Sequence, residues 1–294
     1  MHRLIKAEIY KLFKGRTFKI LCLIACLIAM LVIGESFIDS KSRFMDSLGN
    51  IPQEQKIEQT KAFIKLSKEA PVVSPGKLGF STNGAENPFD ITPIEVFHTS
   101  FGVGVVEILI SILVASMFAK EYSERTIKNT LAYGNKREQF YISKLIAIVI
   151  GIAIIVGIMV FIPTVVTTFT KGWIGNFKLS HLLEIIRTYL GAIVIYTAIT
   201  SILMLIATLV KSSGATIGIS VALFIFIPTF LSFNYGISEG FDKLYELTIF
   251  YNTVLVTAIK STSTDIIKAI SIGVTTLLIS GAVGVTVFKK QDIK

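Results

Sequence analysis

"AKEYSERTIKNTLAYGNKREQFYISK", residues Ala119 to Lys144, separates two long apolar runs. Six of its residues are Lys or Arg and three are Glu, while the flanks are almost purely Ile, Val, Leu and Phe. So polar a segment is excluded from hydrocarbon, so it must lie to one side of whatever its flanks cross. If the flanks are membrane spans, it is a link between two of them.

The composition supports that reading. The chain has 294 residues, 52% of them hydrophobic, and a mean hydropathy of +0.69. Soluble domains average about 45–50% apolar even with Gly counted. Here the excess is gathered in blocks, and a span needs about 20 predominantly apolar residues. Six blocks qualify: Phe18–Ile38, His98–Ala119, Ile142–Ile162, Tyr189–Val210, Ala215–Phe233 and Ile266–Phe288. Any one could be a buried helix of a soluble core, but the remaining polar sequence is too short to cover six. The expected fold class is an all-α polytopic membrane protein. The first block is expected to be retained, because its upstream basic segment is long and "VIGESFIDSKS" holds no A-x-A-like cleavage site.

Charge sets the orientation. Six Lys or Arg precede the first span against one acid, Glu8, and six more lie in the opening stretch. Lys211 marks the link from the fourth to the fifth span, and Lys289, Lys290 and Lys294 follow the last. The loop from Asp39 to Phe97 carries seven basic and eight acidic residues, but long loops translocate largely regardless of charge. Both termini and the 119–144 link are therefore expected in the cytoplasm. The net charge of +9 follows this bias and an attraction to anionic lipid, with no call for nucleic acid. Both cysteines, Cys22 and Cys26, lie within the first span, so no disulfide framework is expected. Three scattered His give no metal-ligand spacing.

The whole chain, 1–294, reads as one transmembrane domain with four extramembrane pieces. In residues 1–17, Leu4, Ile5, Ile9, Leu12 and Phe13 form a stripe, with Arg3, Lys6, Lys11 and Lys14 around it. This is an amphipathic helix for the inner interface, ended at Gly15, or a positive-inside signal that happens to be helical. Residues 39–97 form the external loop, with a solvated helix in "PQEQKIEQTKAFIKLSKEA" followed by turns. Residues 120–141 are the cytoplasmic link. Residues 234–265 hold an apolar core, Leu247–Ile259, too short to span and suited to a re-entrant outer segment. The third block runs on past Pro163 to Phe169, so that span is expected to be long, tilted or kinked at the proline.

Catalytic signatures are missing. No GxxxxGK[ST] or HExxH occurs, and the one GxSxG string, Gly236 to Gly240, lies in a polar link and not at a strand-to-helix elbow, so no catalytic residue and no directly bound cofactor is expected. Glu107 sits about ten residues from either end of "FHTSFGVGVVEILISILVASMF". A carboxylate at that depth is costly, and it is either a pathway residue facing the bundle interior or a protonated group bonded to a neighbouring helix.

The link itself is helix-compatible, with i,i+4 pairs Glu121–Arg125 and Glu124–Lys128 and a stop at Gly134-Asn135. By physics alone it is a solvated loop or a rigid strut that passes force from a soluble partner. Its Glu121, Thr126-Ile127-Lys128-Asn129, Leu131, Gly134, Arg137 and Lys144 resemble the link after the second span in ATP-binding-cassette permeases of the type-2, exporter class. The basic N-terminal helix, the six spans and the re-entrant segment agree with that family along nearly the whole chain. One departure is Arg125, where the family usually has Gly.

The resemblance implies a permease subunit without ATPase chemistry of its own. It would pair with a second copy or a related permease and with two cytoplasmic ATPase subunits that bind ATP. The link would be the coupling helix, contacting the ATPase through Glu121, Thr126, Lys128 and Arg137, with Gly134 setting the turn. Glu107 could face a translocation path at the dimer interface. Analogy extends to export of amphipathic or peptide-like substrates, as in antimicrobial-peptide immunity and drug resistance. Two rivals stand beside it: a gradient-driven secondary transporter, which would show repeats or several embedded charges, and a non-transporting scaffold or sensor partner.

Overall fold

Hydrophobic blocks separated by short polar links leave a helix bundle as the one way to satisfy every backbone group in lipid. The computed structural model describes residues 1–38, 40–132, 136–173 and 177–291, and no strand occurs among them. Gly134 lies outside the described residues. Helix α1 (His2–Lys14) and α2 (Arg16–Phe37) meet at Gly15, whose extended backbone breaks the run. Helices α3 (Ser40–Ser47) and α4 (Gln53–Lys68) follow, the latter covering the expected solvated helix.

The second apolar block is not one helix. It opens as α5 (Pro93–Thr99), breaks at Phe101–Gly104, and resumes as α6 (Val105–Val114), a π-turn (Ala115–Ala119) and α7 (Lys120–Ser123). The cause is tertiary. Gly102 and Gly104 have φ of +55° and +84°, and a Cβ on either would strike Phe80 or Leu78 from the preceding loop. Gly79 donates its N–H to Val103 O at 2.7 Å, pinning that loop into the break. From Val105 to Ser123 the resumed helix is still roughly 28 Å long at 1.5 Å per residue, close to the hydrocarbon thickness of about 30 Å.

Helix α8 (Ile127–Ala132) completes the link to α9 (Arg137–Lys171), which continues through Pro163. Helix α10 (Leu179–Val210) returns. The fifth block is α11 (Ser213–Val221), a π-turn (Ala222–Phe226) and α12 (Ile227–Ser232). Its π-turn includes Phe224, whose carbonyl would clash with the Pro228 ring in a regular helix. Helices α13 (Glu239–Glu246) and α14 (Ile249–Thr257) precede α15 (Ser263–Lys290). Helix α14, at nine residues, is too short to span, and it packs between α10 and α15.

Among the described residues, α2, α9, α10, the run Ser213–Ser232 and α15 are each long and apolar enough to cross a bilayer. With α6–α7 they form a multi-pass membrane bundle. Small residues set its closest packing, as expected where lipid removes the hydrophobic drive between helices. Gly273 of α15 lies on Ile195 of α10, and Gly284 lies under the Tyr141 hydroxyl. The hydroxyls of Ser280 and Ser201 join α15 to α10 at 2.9 Å. Both ends of the chain lie on one face, since α1 meets α7 and the end of α15 meets the start of α9.

Candidate functional site

The stripe of α1 that is buried is Leu4, Glu8 and Leu12, each one turn from the next. It lies on α9, where a Cβ on Gly151 would come within 3.0 Å of Leu12. Phe13 faces outward instead of sharing that burial. Glu8 is thus a carboxylate on an apolar face, 1% exposed, and requires a counter-charge.

Lys144 supplies it from α9. Its ammonium is also 1% exposed and lies 2.5 Å from Glu8 Oε2 and 2.6 Å from Glu121 Oε1. It donates a third bond to Met117 O at 3.0 Å, a carbonyl of the π-turn. The contact with Glu8 Oε2 is close but not aligned as a hydrogen bond. Lys11 closes the quartet, 2.8 Å from Glu8 Oε1 and 3.2 Å from Glu121 Oε1. Two carboxylates and two ammoniums alternate, so the charge balances inside the protein. The quartet ties α1, α7 and α9 at one point.

The next residue ties the other side. The Tyr122 hydroxyl donates to Gln291 Oε1 at 3.3 Å, and Gln291 Nε2 donates to Thr208 O at 2.8 Å. Arg137 donates to Lys289 O at 2.8 Å and to Gln291 O at 2.6 Å, capping carbonyls at the end of α15. Lys289 returns a 3.0 Å ion pair to Glu138. Phe288 stacks on Phe140 at 5.7 Å and meets Tyr122 edge-on.

Consecutive residues Glu121 and Tyr122 therefore fasten α7 to two separate helix groups. What the link presents outward is Glu124, Arg125, Thr126 and Lys128, all exposed, with Ile127 buried beneath them. Arg125 has φ of +57°, the left-handed conformation that glycine adopts most readily. The position where the resembled family has Gly is thus the one where this backbone needs glycine's freedom.

Of the residues singled out from the sequence, Thr126 and Lys128 stand on the exposed face. Glu121, 15% exposed, and Arg137 turn inward onto this chain's own groups. The sequence reading did not pair Glu8, Lys11, Tyr122 or Gln291 with them. Glu8 did carry a signal, as the lone acid of a basic segment at helical spacing from Leu4 and Leu12. Glu107 is buried but is not mid-helix. It is the third residue of α6, and its Oε2 accepts the Gly104 N–H at 2.7 Å, capping the helix restarted by the break. Among the described residues no cluster of His, Cys, Asp or Glu could hold a metal.

No curated protein matches the chain. The model of one family, described as ABC-2 family transporter protein, matches residues 3–293. A multi-pass bundle whose polar link is fastened to both halves is the frame of a membrane transport component, and with that match over nearly its whole length the chain belongs to the ABC-2 transporter permease family.

Proposed function

We propose that this permease works with a separate cytoplasmic ATP-binding-cassette ATPase and exports an amphipathic, peptide-like or drug-like substrate. One observation carries the reading. The 119–144 link offers a short polar face, Glu124 to Lys128, over the turn after α7 and the start of α8, next to Glu121, which ties α7 to α1 and α9, and Tyr122, which ties it to α10 and α15. Force applied there enters α7 within a few residues of its contacts to both helix groups. Thr126 and Lys128, with Glu124 and Arg125, form the docking face. Glu121 and Arg137 act through their neighbours as positioning residues. On this reading both termini are cytoplasmic, two permease copies pair with two ATPases, and ATP is bound only by the partner.

The test is purification of the tagged chain from its native membrane in mild detergent, with mass spectrometry of what accompanies it. A stoichiometric protein bearing the GxxxxGK[ST] nucleotide-binding signature is expected. It should be lost when Glu124 and Lys128 are both reversed in charge, while the bundle melts normally. A stable preparation without such a subunit would overturn the reading in favour of a gradient-driven transporter or a scaffold.

A further inference from the structure

On the face opposite the termini, a cavity of about 270 Å³ lies between the end of α2, helix α3, the loop before α5 and the end of α9. Its apolar wall includes Val32, Ile38, Phe89 and Ile91. Its polar wall includes Glu35 and Arg43, from α2 and α3. The cavity sits where the first span passes from apolar sequence to Glu35 and Ser36, which is the depth of lipid head groups.

The wall is firmly built. Phe44, next to Arg43, stacks on Phe63 at 4.9 Å and meets Phe89 at a tilt at 5.4 Å, so α3, α4 and the loop hold one another in place. Lys171 also lines the cavity, but it is neutralised by Asp90 at 3.0 Å. Among the described residues Glu35 and Arg43 have no ion-pair partner, either in each other or elsewhere, and both stay exposed.

An anionic ligand would be attracted by Arg43 and repelled by Glu35. A cationic one would meet the reverse. A ligand carrying both charges on a short spacer satisfies both, and its apolar part fits the Val32–Ile91 side. We propose that this cavity seats the head group of a zwitterionic phospholipid, with its phosphate on Arg43 and its ammonium on Glu35. On this measure one water needs only about 10–15 Å³, so the cavity has room for the roughly eight heavy atoms of phosphoethanolamine. The site stands independently of any ATPase partner or exported substrate.

The full chain, with any subunits that accompany it, would be purified and examined by native mass spectrometry after exchange into defined lipids. Phosphatidylethanolamine is the probe, phosphatidylglycerol the comparison lacking an ammonium, and soluble phosphoethanolamine the comparison lacking chains. Wild-type protein should retain one phosphatidylethanolamine per chain, at least tenfold more strongly than either comparison. Glu35→Gln and Arg43→Gln, both at exposed positions, should each lose that preference about tenfold. The exchanged pair Glu35→Arg with Arg43→Glu should recover most of it. Retention unchanged in both single variants would overturn the proposal, as would equal retention of phosphatidylglycerol. Equal binding of soluble phosphoethanolamine would overturn the lipid as its occupant.

Discussion

Replacing Lys144 with Met removes the more deeply buried of the two cations that touch both Glu8 and Glu121. In the wild type its ammonium lies 2.5 and 2.6 Å from those carboxylates, at 1% exposure. Met keeps most of the stem's volume beside Phe140, so the loss is electrostatic. Breaking a buried pair by deleting one partner costs about 3–5 kcal/mol, because the other charge stays buried. Lys11 still reaches both carboxylates and is 45% exposed, so it offsets part of the loss. A net destabilisation of about 3 kcal/mol is expected, or roughly 6–12 °C in melting temperature. The assay is supplied by the chain, whose two cysteines, Cys22 and Cys26, both lie on α2 and are partly buried. A fluorogenic thiol dye therefore reports when α2 leaves the bundle. Lys11→Met should shift the melt far less, since a half-exposed pair contributes about 0–1 kcal/mol. Lys144→Met combined with Glu8→Gln and Glu121→Gln should recover most of the loss. A Lys144→Met melt within about 2 °C of wild type would refute the view that this quartet carries the join between α1, α7 and α9.

Four further outcomes follow from the same geometry. Arg125→Gly should raise stability by about 1 kcal/mol by removing left-handed strain at φ +57°, and a lowered melt would refute this. Gly284→Ala should cost about 1–3 kcal/mol, since its Cβ would meet the Tyr141 hydroxyl. Among the described residues no group lies in hydrogen-bond geometry to that hydroxyl, so adding Tyr141→Phe should recover the melt, and failure to recover would place the strain elsewhere. Glu107→Leu should cost about 0.5–2 kcal/mol by leaving the Gly104 N–H uncapped. Glu107→Gln keeps an acceptor and should lie near wild type, so equal losses in the two would rule out the cap.

The last outcome concerns pH. Burial alone would lower the Lys11 ammonium pKa, but Glu8 and Glu121 outweigh it and hold it above its ordinary value. A cation with a raised folded pKa lends stability that is complete below its unfolded value, about 10.4, and is lost as pH rises through the folded one. The melting difference between wild type and Lys11→Gln should therefore be constant from pH 6 to about 9 and shrink above about 10.5. A difference that shrinks already near neutrality would contradict the pairing.

Local order along the chain was enough for the class and for much of the layout. Apolar blocks of spanning length, the break at Gly15, the solvated α4 and the short α14 are each readable from a window of neighbours, because a helix's length and faces are set within it. The polar link was legible for the same reason, while the oddity of Arg125 came only from the family resemblance. Tertiary structure decided what those windows do not contain. The second block counts as one span until the loop around Phe80 and Gly79 is packed against Gly102 and Gly104. Glu107 looks like a mid-membrane charge until that break makes it a cap. Glu8 meets Lys144 across 136 residues, and Arg137 meets Gln291 across 154. Charge pattern says that such groups need partners. Only the packing of α1, α7, α9 and α15 says which, because desolvation makes a buried charge choose the nearest opposite one, and nearness belongs to the fold.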